Sequence, residues 1–186
     1  MLANLQWVAS GAWQASFPEE NKTFYRFFKT IDMRQMLSDL EEMVSRYGGV
    51  GSYLRESHAG PEAIKALTSL TLWFNRSGRS RIIPATTSSA CKRLCMLLRW
   101  MVRTDSPVDM GLWSDLVDRR TLIMPLDAHV MQEANALGLI HTQSATMSTA
   151  RRLTDLMLEV FPDDPVKADF ALFSYGVEAS SSAINE

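Results

Sequence analysis

Ser88-Ser89-Ala90-Cys91-Lys92-Arg93 puts two hydroxyls just ahead of two adjacent cations, at a point where a helix is expected to begin. Thr86 and Thr87 lengthen the hydroxyl run, and Arg99 and Arg103 continue the charge along the same helix. The start of a helix offers unbonded N–H groups and the positive end of its dipole. With Lys92 and Arg93 beside it, such a start has the parts of a phosphate site. An ordinary cap followed by a solvated charged face explains the same residues. Cations are nevertheless not what a helix N-terminus prefers for stability, and a local conflict of that kind tends to mark function. A second candidate is Asp127 in Pro125-Leu126-Asp127-Ala128-His129. A carboxylate at a helix start most often caps the helix. The other reading is a carboxylate held at a helix mouth beside a basic wall. His129, two residues on, diverges from Asp127 on a helix and is expected as a packing or phosphate contact.

Other chemistries find less support. His58, His129 and His141 share no ligand spacing, and Cys91 with Cys95 lack two further soft ligands, so no metal site is expected. A Walker loop and a Gly-x-Gly-x-x-Gly are both missing, and no cofactor is expected. The five Trp and eleven Met fall mostly on apolar stripes, where core packing is the default. Trp100 and Trp113 could wall a base pocket.

The elements that must position these residues read as helices. Leu2 to Gln14 has near-helical apolar spacing. Phe24-Tyr25-Arg26-Phe27-Phe28 reads as a short aromatic segment anchored against the core. Asp32 is expected to cap a helix carrying Met33, Met36, Leu37, Leu40, Met43 and Val44, ended by Gly48-Gly49. A short helix through Tyr53-Leu54 and another from Pro61 toward Gly78 follow. Ser88-Ser89 should cap the basic helix to about Arg103, with Leu94, Leu98 and Val102 inward and Arg99 and Arg103 outward. Asp127 caps a helix to Leu137, and further helices run from about Ser148 to Phe161 and from Pro165 to Gly176. Leu122–Leu126 could pass for one strand but has no obvious partner. The expected class is all-α, a compact multi-helix array.

At 186 residues, 46% hydrophobic and 22% charged, the chain is long enough to bury a core and is read as one domain over 1–178 with a frayed tail over 179–186. Two cysteines cannot build a disulfide framework, which argues for a reducing compartment. The N-terminus does not read as a signal peptide, and no apolar run approaches a membrane span. A cytoplasmic location is expected. Net charge is −2, yet eight basic and no acidic residues fall between Lys65 and Arg103. Such segregation suggests an anionic partner.

Ser89-Ala90-Cys91-Lys92-Arg93-Leu94, continued by Leu98-Arg99-Trp100-Met101-Val102-Arg103, resembles the signature of the bacterial family called domain of unknown function 2400. Phe24-Tyr25-Arg26-Phe27, Pro107-Val108-Asp109, Gly111-Leu112-Trp113, Ile123 to His129, Asp164 to Lys167 and Asp169 to Phe173 match as well. The resemblance covers nearly the whole chain. That family is in turn distantly similar to the helix-hairpin-helix DNA glycosylases. The second resemblance implies their fold, while members of the first family usually carry further helices before the point where this chain starts, so the chain is expected to be a shortened variant or a mis-started fragment. By position, Lys92 would be the nucleophile at the anomeric carbon of an extruded nucleotide, and Asp127 the assisting carboxylate. A lysine in that role needs a lowered pKa, which a desolvated site near Arg93 and Arg99 could supply. Ser88, Ser89, Arg93, Arg99 and His129 would contact the nucleic acid. Where those enzymes carry a Leu-Pro-Gly-Val-Gly-like turn, this chain reads Ile83-Pro84-Ala85-Thr86-Thr87.

The leading expectation is thus a DNA-binding, glycosylase-like repair protein, with RNA left open as a partner. Its competitor is a non-catalytic nucleic-acid-binding helical module in which Asp127 is only a cap. A truncated, inactive relative is the third reading.

Overall fold

A computed structural model of the chain describes residues 2–17, 19–57, 60–78 and 80–172. His58, Arg79, the 173–176 end of the last expected helix and the 179–186 tail lie outside them. The fold is mostly helical. In chain order it has α1 (Leu2–Ala9), a 3-10 turn (Ala12–Ser16), β1 (Thr23–Tyr25), β2 (Phe28–Lys29), α2 (Thr30–Tyr47), α3 (Val50–Glu56) and α4 (Ala63–Asn75). Then come α5 (Lys92–Val102), a 3-10 turn (Arg119–Thr121), α6 (Ala128–Ala136), α7 (Met147–Val160) and a 3-10 turn (Pro165–Lys167) that runs into a helical stretch over 168–172. Two compact units divide the chain: Met1–Ala59 with Thr68–Thr86, and Gly60–Leu67 with Thr87–Glu186.

The first unit is built on α2. Its apolar stripe packs Leu37 with Val8, Trp13 and Phe17, flanked by Trp7, Met33, Met36 and Leu40. Asp32 sits in the first turn of α2, one turn past the expected place. The cap position is Lys29, whose N–H donates to Asp32 Oδ2 at 2.8 Å. Gly48 closes the helix with φ 79 and its N–H on the Val44 carbonyl. Tyr47, Tyr53 and Trp73 form a T-shaped and tilted ring cluster. Arg76 lies over the Trp73 ring at 3.8 Å and pairs with Asp39 at 2.9 Å and with Glu42. The aromatic segment does not anchor as expected. It makes an antiparallel hairpin, Thr23 opposite Lys29 and Tyr25 opposite Phe28, and only Phe28 of its aromatics is buried.

The second unit packs α5, α6 and α7 around Leu94, Leu98, Val102, Val130, Ala134, Ala150, Leu153 and Met157. The apolar connection Leu122–Leu126 is buried in this core as an irregular segment, and the Met124 N–H is satisfied by Thr154 Oγ1 at 3.0 Å. Both α6 and α7 begin on classes of residue that favour helix starts. Asp127 Oδ1 accepts from Val130 N at 2.8 Å, and Thr146 Oγ1 accepts from Thr149 N at 3.2 Å.

Candidate active site at the starts of α5 and α6

Ser88 and Ser89 do not cap α5. They lie in a short antiparallel contact with the segment leading into α7: Ser89 is bridged to Thr146, Ala90 N donates to Ala145 O at 3.2 Å, and Met147 N donates to Ser88 O at 3.0 Å. The cap position belongs to Cys91, at φ 47 and ψ 35, with no side-chain cap bond. A left-handed cysteine costs on the order of 1–2 kcal/mol. It is fixed by the pairing just before it and by Leu94 N and Cys95 N, which donate to its carbonyl at 2.9 and 3.0 Å. This turn swings the chain from the paired segment into α5 and places Lys92 as the first helical residue.

Lys92 Nζ lies 2.6 Å from Asp127 Oδ2. The Lys92 side chain is about half exposed and that of Asp127 about a third, so the pair stands at the surface rather than in the core. The two oxygens of Asp127 divide their work. Oδ1 caps α6 through Val130 N, and Oδ2 receives the lysine amine. Capping and a chemical role therefore do not compete for the same atom. Burial alone would raise the Asp127 pKa; the Lys92 ion pair and the Val130 and His129 backbone donors outweigh it and hold the carboxyl below its ordinary value. Because α5 meets α6 at this pair and its preceding residues are tied to the start of α7, three helix N-termini gather around Lys92. Their dipoles make the neighbourhood favourable to an anion.

The other expected contacts fall in different places. Arg93 is exposed beside Lys92, and Ser88 and Ser89 are exposed. His129 is half-buried on α6 and reaches Asp127 through its backbone N–H. Arg99 corrects the expectation most clearly: it is buried, at 3% exposure, so it does not face a ligand. Its guanidinium bonds Asp169, lies 3.8 Å from Asp109, and stacks on Phe170 at 4.1 Å. Arg103 is likewise buried, between Asp109 at 2.5 Å and Asp164 at 2.9 Å. Trp113 is a core residue and Trp100 is partly exposed.

Two arginines and three aspartates thus form a buried ionic cluster about two to three turns along α5 from Lys92. Sequence reasoning missed it. The signal was present in the row Cys91, Cys95, Arg99, Arg103: residues four apart share a helix face, and the two cysteines at its head are apolar and buried. Desolvation raises the Asp169 pKa against the opposing pull of Arg99, with Asp127 adding to the rise and Lys92 opposing it, so the cluster and the surface pair feel each other's charge. Cys91 and Cys95 are free thiols. Burial pushes Cys95 up to about 12 and raises Cys91, which leaves neither poised as a nucleophile. Arg151 and Arg152, exposed in the early turns of α7, are cations of this unit that sequence reading passed over. Among the described residues no group of three or more His, Cys, Asp or Glu could hold a metal, and no helix is long and apolar enough to cross a membrane.

A family model described as "Protein of unknown function (DUF2400)" matches residues 4–178, nearly the whole chain, and the chain belongs to that family. No curated protein and no solved structure matches it.

Proposed function

We propose that the chain is a cytoplasmic DNA glycosylase/lyase, similar in its helical array to the helix-hairpin-helix DNA glycosylases, with Lys92 as nucleophile and Asp127 as its proton acceptor and charge stabiliser. The 2.6 Å contact between Lys92 Nζ and Asp127 Oδ2 carries this reading, since the residues are 35 apart in sequence and meet at the surface. Asp127 Oδ2 touches the amine and can accept its proton. The lowered pKa of the carboxyl makes the protonated form a strong acid that hands this proton on to the departing base. The freed amine then attacks the anomeric carbon of an extruded nucleotide. The glycosidic C–N bond breaks and its electron pair leaves with the base, which takes the proton held by Asp127 and returns the carboxylate to its ionised form. Ring opening gives an imine between Lys92 and the sugar, and Asp127 offsets the positive charge that develops on the way. The gathered helix starts, with Arg93, Arg151 and Arg152, would receive phosphates on either side of the reacting nucleotide.

The test is borohydride trapping on duplexes bearing oxidised, deaminated or abasic sites. A reducible covalent complex that disappears in Lys92→Gln and weakens strongly in Asp127→Asn is expected. Salt-sensitive binding without trapping or base release would instead identify a non-catalytic nucleic-acid module, in which the Asp127–Val130 cap is the whole purpose of the carboxylate.

A further inference from the structure

The β1–β2 hairpin displays aromatic side chains that stand largely exposed. Phe24 is 51% exposed, Tyr25 57% and Phe27 63%, within four consecutive positions. Single exposed apolar residues are ordinary; a contiguous aromatic set on a short turn is not. The hairpin's own packing is met by buried Phe28, while Phe24 leans edge-on against Phe17 and so acts as a support. Phe27 rests tilted against Phe28, ring centres 4.4 Å apart, and both it and Tyr25 keep more than half of their surface toward solvent. Arg26 stands between them at φ 52, its guanidinium 5.3 Å from the Tyr25 ring centre. The nearby acids are engaged elsewhere, Glu19 with Arg34 at 3.4 Å and Glu20 with Lys22. Arg26 and the half-buried Lys29 therefore give the hairpin a positive character beside its rings.

We propose that this hairpin is a contact for single-stranded nucleic acid, in which Tyr25 and Phe27 stack on unpaired bases while Arg26 and Lys29 meet the phosphates between them. Aromatic faces interleaved with cations match the alternation of bases and phosphates along a strand, and stacking is tolerant of base identity. A lipid surface fits less well. Interfacial lipid binding scales with the apolar area buried, and here only the exposed rings of one short hairpin offer it. The inference rests on the nucleic-acid reading and extends it to a second surface, yet is separable from it, because the hairpin residues take no part in the Lys92–Asp127 pair.

Fluorescence anisotropy of a labelled oligothymidylate with the full chain tests it. Tyr25→Ala and Phe27→Ala should each weaken binding about tenfold, and Tyr25→Phe should restore it, since the stacking face remains. Arg26→Gln should lower the slope of log affinity against log salt by about 0.7. Tyr25→Ala and Phe27→Ala should still trap an abasic-site duplex at saturating protein, so loss of strand binding and loss of trapping chemistry are told apart. Thermal melts confirm that these exposed-site variants stay folded. Absence of oligothymidylate binding by the wild type, or equal affinity in the double alanine variant, would overturn the proposal. So would loss of binding to phosphatidylglycerol vesicles in that variant with strand binding intact.

Discussion

Asp127 holds two partners with two oxygens, and that division separates its structural from its chemical contribution. Asn is nearly as good an N-cap as Asp, whereas Ala is not. Asp127→Ala should therefore lose about 1 kcal/mol of stability with the α6 cap, while Asp127→Asn should melt near the wild type yet fail as proton acceptor for Lys92. Urea denaturation beside trapping assays separates the two effects. Its pH behaviour has a definite sign. A carboxyl held below its ordinary value contributes stability that is present above the unfolded pKa and is lost as pH falls through the folded one. Asp169 runs the other way. Its raised pKa contributes stability below the unfolded value that is lost as pH rises through the folded one. Asp169→Asn should accordingly flatten the loss of stability that the wild type shows on that rise, read from denaturation midpoints across the acid range.

At the scale of elements, the helices were legible wherever a stripe of apolar residues repeated at helical spacing. α6 and α7 begin within a residue or so of their expected starts, because Asp127 caps one and the chain enters the other directly after Thr146. The start of α5 was not legible. Two serines advertise a cap, but the backbone uses them to pair with 145–147, a contact more than fifty residues away, and turns at Cys91 instead. The loop that returns to α5 has a similarly hidden requirement. Met110 N and Gly111 N both donate to the Trp100 carbonyl, at 2.6 and 3.3 Å, and so hold Asp109 against the two arginines. Gly111 sits at φ +63, and a Cβ there would lie 2.8 Å from Thr104 Cγ2. Gly111→Ala is expected to cost roughly 1–2 kcal/mol or more from strain and overlap together, a loss visible in the thermal midpoint. The aromatic hairpin misled for a related reason: composition told that its rings are apolar, not that one side chain, Phe28, suffices for its packing.

Across the whole chain, charge patterning was the least faithful guide. The acid-free stretch from Lys65 to Arg103 looked like a basic surface, yet tertiary partners answer most of it. Lys65 meets Glu62, Arg76 meets Asp39 and Glu42, and Arg99 and Arg103 meet Asp109, Asp164 and Asp169. Linear segregation of charge is compatible with neutral pairing in space, since the acids lie outside the stretch, at separations from three residues for Glu62 and Lys65 to seventy for Asp169 and Arg99. The buried cluster also recruits four of the stretches that carry the family resemblance, so much of that signature has a structural reason to exist. Replacing Arg103 by Met leaves Asp109 and Asp164 without their donor and should cost about 3–5 kcal/mol, as breaking one side of a buried ionic group does. Equilibrium denaturation measures it. What pairing does not explain is the half-exposed Lys92 amine set on Asp127 among three helix starts, and the proposed activity rests on that pair. The most direct measurement is peptide mapping, by mass spectrometry, of the adduct formed when the wild-type chain is reduced with borohydride on an abasic-site duplex. The sugar remnant is predicted on Lys92. An adduct on any other lysine, or none at all, would contradict the assignment of Lys92 as nucleophile.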